Sequence, residues 1–287
     1  MFEGFATERI DLPEASLHVR HGGSGPPVLL RHGHPRTHAT WHRVAPLLAE
    51  RHTVVCPDLR GFGRSSKPPD STGHAGSSKR AKARDCIALM SRLGFDRFAI
   101  VGHDRGSYTA FRAAMDHPRA IDRLAILDGV PIIEALERCD ARFAAKWWHW
   151  FFFAQPEKPE RAILADPDAW YGGSAERIGA ESYADYRAAI HDPATVHGML
   201  EDYRAGLGID REHDAADRRA GRRIACPTLV LWSLQDDLQG LYGDVLAIWR
   251  PWCAGPLQGG GIDCGHHMAE EAPEELAGRL LNFLGRN

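Results

Sequence analysis

A run of apolar residues, Phe98-Ala99-Ile100-Val101, ends in Gly102-His103-Asp104-Arg105-Gly106 and passes at once into a stretch with helical spacing. Few local patterns restrict a fold so tightly. The apolar run reads as a buried strand. Glycines on either side of a short polar step permit a turn too sharp for ordinary side chains. The turn would hold one side chain out at the N-terminus of the helix, where the helix dipole favours negative charge. That side chain is Asp104. An aspartate at such a place is often only a cap, so the rest of the chain decides what it does.

Other short apolar runs bounded by turn residues occur at Val28 to Leu30, Thr53 to Cys56, Leu124 to Leu127 and Thr228 to Trp232. They read as buried strands. Between them, Trp41 to Glu50, Lys79 to Leu93 and Ser107 to His117 have helical spacing, and Pro118 stops the last of these. Strand alternating with helix predicts an α/β fold: a mostly parallel, doubly wound sheet covered on both faces. After Asp128 the alternation stops. A stretch rich in Trp, Tyr, Phe and Arg, helical in texture and without strands, runs to the strand at Thr228. The predicted organisation is a first core segment at 1–131, an inserted helical cap at 132–222 and a second core segment at 223–287. Gly259 to Gly261 reads as a glycine-rich turn, and Pro273 to Leu284 as a closing amphipathic helix.

The balance of charge limits the partners. Lys plus Arg number 35 and Asp plus Glu 38, for a net charge of -3. No basic field is available to hold a phosphate backbone, so nucleic acid is not expected as a partner. No apolar run approaches the ~18 residues of a membrane span, and the N-terminus lacks the pattern of a secretory signal. A cytoplasmic protein acting on a small molecule, away from membranes, is expected. Cys56, Cys86, Cys139, Cys226, Cys253 and Cys264 show no CxxC spacing, which favours reduced thiols over disulfides or a zinc knot.

Three further elements bear on the Asp104 turn. Arg31-His32-Gly33-His34-Pro35 follows the first strand, Asp128 ends the strand after the turn, and Gly265-His266 precedes the last helix. If Asp104 acts as a nucleophile, a carboxylate in that role selects the chemistry. Attack on an sp³ carbon gives an ester that water can later cleave, whereas a serine would give an inert ether. The target is then a carbon bearing a leaving group, a carbon–halogen bond or an epoxide.

Taken together, these motifs resemble the α/β-hydrolase fold, and within it the fluoroacetate and haloacetate dehalogenases. The similarity runs from the MFEGF start through Asp58-Leu59-Arg60-Gly61, Val101 to Gly106, Leu127-Asp128, His149-Trp150 and Asp202 to Gly206 to Gly265-His266. The resemblance implies Asp104 as nucleophile, His266 as base and Asp128 as the acid that orients it. It implies Arg105 as the guanidinium on the substrate carboxylate, and His34 and Arg105 as backbone donors to the oxyanion. His149, Trp150 and Tyr203 would receive the halide. No cofactor and no metal are expected, and a homodimer is the implied assembly.

The chain departs from that pattern in two places. Tyr108 stands where the fluoroacetate enzymes carry a second arginine, which exchanges a charge for one neutral donor toward the substrate. Asp236, just after the strand at Thr228, is a rival partner for His266, although the resemblance favours Asp128. An epoxide hydrolase with the same nucleophile and base is the alternative activity, and a non-catalytic ligand sensor the alternative of another class. The cluster His32, His34, His38 and His42 has no Cys or Glu at ligand spacing beside it and is not read as a metal site.

Overall fold

The computed structural model describes residues 1–285 and contains one eight-stranded sheet. The strands are β1 (Ala6–Asp11), β2 (Ser16–Gly22), β3 (Pro27–Arg31), β4 (Thr53–Pro57), β5 (Phe98–His103), β6 (Ile121–Leu127), β7 (Thr228–Ser233) and β8 (Leu257–Ile262). Their spatial order is β1-β2-β4-β3-β5-β6-β7-β8. The first two pairings are antiparallel and the remainder parallel.

Successive side chains of a strand point to opposite faces, and here both faces are buried. Leu29, Val55, Ile100, Ile126 and Val230 pack on one side with Phe111, Trp249 and Trp252. Leu30, Val54, Val101, Leu127 and Leu231 pack on the other with Trp41, Leu276 and Phe283. Continuous apolar strands are what a doubly covered parallel sheet requires. Between β6 and β7 the described backbone is helical, from Ile132–Glu137 to Arg211–Arg219, and this layer lies over the end of the sheet from which Asp104 and Asp128 emerge.

Some elements differ from the sequence-based expectation. β1 and β2 were not expected, and the glycine-rich segment at 259–261 is the middle of β8 rather than a turn. It can pair there because the backbones approach so closely that a Cβ on Gly259 would lie 2.0 Å from the Val230 carbonyl oxygen. The helix expected over residues 41–50 is split into a 3₁₀ turn at His38–Trp41 and a short helix at Ala45–Ala49, with Pro46 in the first turn of the second piece. Proline is tolerated in a first turn and disruptive in a helix interior.

Candidate active site

β5 delivers Asp104 into the turn and the helix Arg105–Asp116 carries the chain away. Asp104 has φ 51° and ψ -119°, a conformation that disfavours a side chain and costs on the order of 1–3 kcal/mol. The flanking glycines make it possible. A Cβ on Gly106 would lie 2.3 Å from the Arg31 carbonyl oxygen, so only glycine lets the helix seat directly on β3.

One oxygen of this carboxylate is already held. The His34 N–H donates to Asp104 Oδ1 at 2.6 Å, and the Arg105 N–H reaches the same carboxylate. The sequence of the loop after β3 explains the fit, because a side chain on Gly33 would put a Cβ 2.3 Å from Asp104 Oδ1. The other oxygen, Oδ2, lies 3.8 Å from His266 Nε2.

His266 Nδ1 faces two acids. It is 2.9 Å from Asp236 Oδ2 and 3.3 Å from Asp128 Oδ2. Asp128 was the favoured partner on sequence. The closer contact belongs to Asp236, and Asp128 bonds the same nitrogen while also accepting from Ser233, whose N–H donates to Oδ1 at 2.8 Å and whose hydroxyl donates to Oδ2. Desolvation opposes a charge on His266, but Asp128 and Asp236 beside Nδ1 and the charge of Asp104 hold the imidazole pKa well above its ordinary value. Desolvation likewise opposes charge on Asp104, and His266, His103 and Arg105 outweigh it to hold its pKa below the ordinary carboxylate value.

These groups line a cavity of about 260 Å³. Tyr108, from the helix that follows Asp104, and His149, Trp150 and Tyr203, from helices between β6 and β7, form its far wall. The His149 and Tyr203 ring centroids are 6.0 Å apart, and those of Trp150 and Tyr203 6.4 Å. An imidazole, an indole and a phenol therefore converge opposite Asp104. Burial lowers the His149 pKa to about 4 and raises those of Tyr108 and Tyr203, so all three remain neutral donors near neutral pH. Lys146 and Asp237, which no motif singles out, meet at 3.2 Å on the same cavity.

Arg105, which the resemblance assigns to the substrate carboxylate, keeps one nitrogen, Nη1, buried without a protein partner. Its guanidinium is fully buried, does not line the cavity, and is held by Asp202: Nε donates to Oδ2 and Nη2 to the carbonyl oxygen at 2.9 Å. Lys79 and Lys82 crowd the same carboxylate. The guanidinium stacks 4.1 Å from the Tyr203 ring centroid and 5.3 Å from that of Trp150, one ring layer behind the cavity. Arg36, which follows the Gly33-His34-Pro35 turn, is spent on Glu270 at 2.8 Å.

His103, Asp128 and His266 each offer an atom within 4.8 Å of the others and are the groups here that could hold a metal ion. Their hydrogen bonds favour another use. His103 Nε2 lies 2.7 Å from the His266 carbonyl oxygen and so carries a proton, and His266 Nδ1 is bonded to Asp236.

Comparison with known proteins shows the family. The model of the alpha/beta hydrolase fold matches residues 26–273. The chain belongs to the α/β-hydrolase family. Within it the chain is 42% identical to a fluoroacetate dehalogenase of Burkholderia sp. over 99% of its own length and 95% of that protein's. It is 32% identical to a soluble epoxide hydrolase of Corynebacterium sp., covering 93% of each. A solved structure from Nostoc sp. PCC 7120, described as an α/β hydrolase, superposes with a TM-score of 0.95 at 41% identity over the whole of both chains. Among the described residues, this α/β hydrolase has no helix long and apolar enough to cross a membrane.

Proposed function

We propose that this α/β hydrolase is a hydrolytic dehalogenase that cleaves the carbon–halogen bond of a small haloacid. One observation carries the reading. Asp104 holds Oδ1 against the His34 N–H at 2.6 Å and keeps Oδ2 free beside His266, facing the donors of His149, Trp150 and Tyr203.

The steps follow from that placement. Asp104 Oδ2 attacks the substrate carbon, and the halogen leaves with the bonding pair as halide toward the imidazole, indole and phenol. A small anion in a site closed to water needs such converging donors. The product of this step is an alkyl ester on Asp104. Esterification removes the Asp104 charge, one of the influences that kept His266 protonated, at the step where a neutral base is needed. His266 Nε2 then takes a proton from water, whose oxygen adds to Asp104 Cγ while Oδ1 gathers negative charge under the His34 and Arg105 N–H groups. Collapse breaks the Cγ–Oδ2 bond, and His266 returns its proton to the departing alkoxide. The net change is one water consumed and one hydroxy acid, one halide and one proton released. Asp236 and Asp128 hold the ring in the tautomer that this requires.

For the substrate carboxylate, the neutral donor of Tyr108 and the positive charge of Arg105 behind the ring layer take the place of a direct pair of guanidiniums. A second reading is an epoxide hydrolase. It is favoured by Tyr108 and Tyr203, two buried phenols on the same cavity that can protonate an opening alkoxide. The resemblance also carries a homodimer in the cytoplasm, and light scattering tests the assembly.

Halide and diol release from fluoroacetate, chloroacetate, bromoacetate and a styrene-type epoxide separates these readings. Halide from the acids, lost in Asp104→Asn, is the expected result. Diol without halide would move the protein to the second reading.

A further inference from the structure

A second hollow, of about 380 Å³, opens beside the catalytic cavity. Trp148, Phe153, Ala169, Trp170 and Tyr171 line it, all from the layer between β6 and β7. The two spaces share His34 and His149, which stand between them. The His34 ring lies 5.2 Å from Tyr203 on the catalytic side, and 5.3 Å from Phe153 and 5.2 Å from Tyr171 on the other.

Two observations suggest that the hollow receives a ligand. Both ring nitrogens of His34 are buried without a hydrogen-bond partner from the protein, and so is the Tyr171 hydroxyl. Buried polar groups are normally paired, and each group left unpaired has a cost. Apart from Ala169 the remaining walls are aromatic, and Trp148 is half-exposed at the rim, an uncommon place for so large an apolar side chain. Apolar walls with a few polar atoms converging on them are typical of small-molecule sites.

We infer that this hollow is a substrate annex, and that the preferred substrate is an α-halo acid carrying an aromatic group on its halogen-bearing carbon. The inference rests on the dehalogenase reading. The reacting carbon sits at Asp104 and the halogen at His149, Trp150 and Tyr203. The substituent passes the His34 and His149 rings to lie among Phe153, Trp170 and Tyr171. A haloacetate has no group to place there and leaves the annex unused.

The test compares kcat/KM for chloroacetate and 2-chloro-2-phenylacetate in the wild type, in Ala169→Phe, which fills the hollow from its wall, and in Trp170→Ala, which removes a stacking face. The aryl acid is expected to be the better wild-type substrate. Each variant is expected to lose about tenfold or more on the aryl acid, with chloroacetate changed by less than about twofold. Equal losses on both acids, or no loss on the aryl acid in either variant, would overturn the annex. A binding measurement separates this failure from failure of the dehalogenase reading. Phenylacetate is titrated against Asp104→Asn, with and without Ala169→Phe, by tryptophan fluorescence. If neither acid releases halide, weaker binding in the double variant still supports the annex, and equal binding overturns it.

Discussion

The main-chain N–H of His34 donates to Asp104 Oδ1 at 2.6 Å, so the loop after β3 and the turn after β5 together decide which carboxylate oxygen is free to react. Gly33 allows this approach. In Gly33→Ala the new Cβ would meet Oδ1 at 2.3 Å. Turnover is expected to fall by about 10²–10³-fold, as when an oxyanion donor is lost, with far-UV circular dichroism unchanged. Activity within a few-fold of wild type would mean that this contact is incidental.

The two acids beside His266 share one imidazole nitrogen. Each raises the His266 pKa, so removing either lowers it and makes the neutral base available at lower pH. In both Asp236→Asn and Asp128→Asn the acidic limb of ester hydrolysis is expected to move to lower pH, read from single-turnover rates. Because Asp128 contributes both a hydrogen bond and its charge to the raised pKa, its loss is expected to shift the limb further. Limbs that stay in place in both variants would detach these acids from the base.

Tyr108 distinguishes the two activities. As a carboxylate donor its hydroxyl contributes one neutral hydrogen bond, about 0.5–1.5 kcal/mol. Tyr108→Phe is then expected to raise KM for a haloacid several-fold with little change in kcat. A collapse of kcat on an epoxide, with haloacid turnover absent, would instead assign the phenol to proton donation.

Asp202 holds three buried cations, Arg105, Lys79 and Lys82. Removing its charge leaves them with Asp210, which reaches Lys79 at 3.3 Å. Asp202→Asn is expected to lose about 3–5 kcal/mol in urea unfolding, the usual cost of breaking a buried pair. The burial of Lys82 has already lowered its pKa to about 7. Lys82→Met is therefore expected to recover part of the loss in the Asp202→Asn background, and the absence of recovery would argue against a shared network.

Much of this is legible in the amino-acid sequence. The strands β3 to β7 declare themselves by apolar runs whose two faces are both buried, and the Asp104 turn by its glycines. β8 was hidden because its three glycines carry no strand signal, and it pairs only because β7 offers a ladder at close approach. The residues of the candidate site come together largely as the sequence suggested, from Asp104 and His266 to His149, Trp150 and Tyr203. Two relationships needed the fold. How Asp128 and Asp236 share His266 Nδ1 depends on where Ser233 holds the first, and the setting of the Arg105 guanidinium depends on Asp202, 97 residues along the chain. Neither is a local property.

The central claim is that Asp104 becomes covalently bonded to the substrate, and a single turnover in H₂¹⁸O tests it most directly. With enzyme in excess over an α-halo acid, Asp104 is expected to gain ¹⁸O, detected by mass spectrometry of its peptide, while the hydroxy acid carries an unlabelled hydroxyl from Oδ2. Label in the first-turnover product and none in Asp104 would mean that water attacks the carbon directly, and would contradict the account.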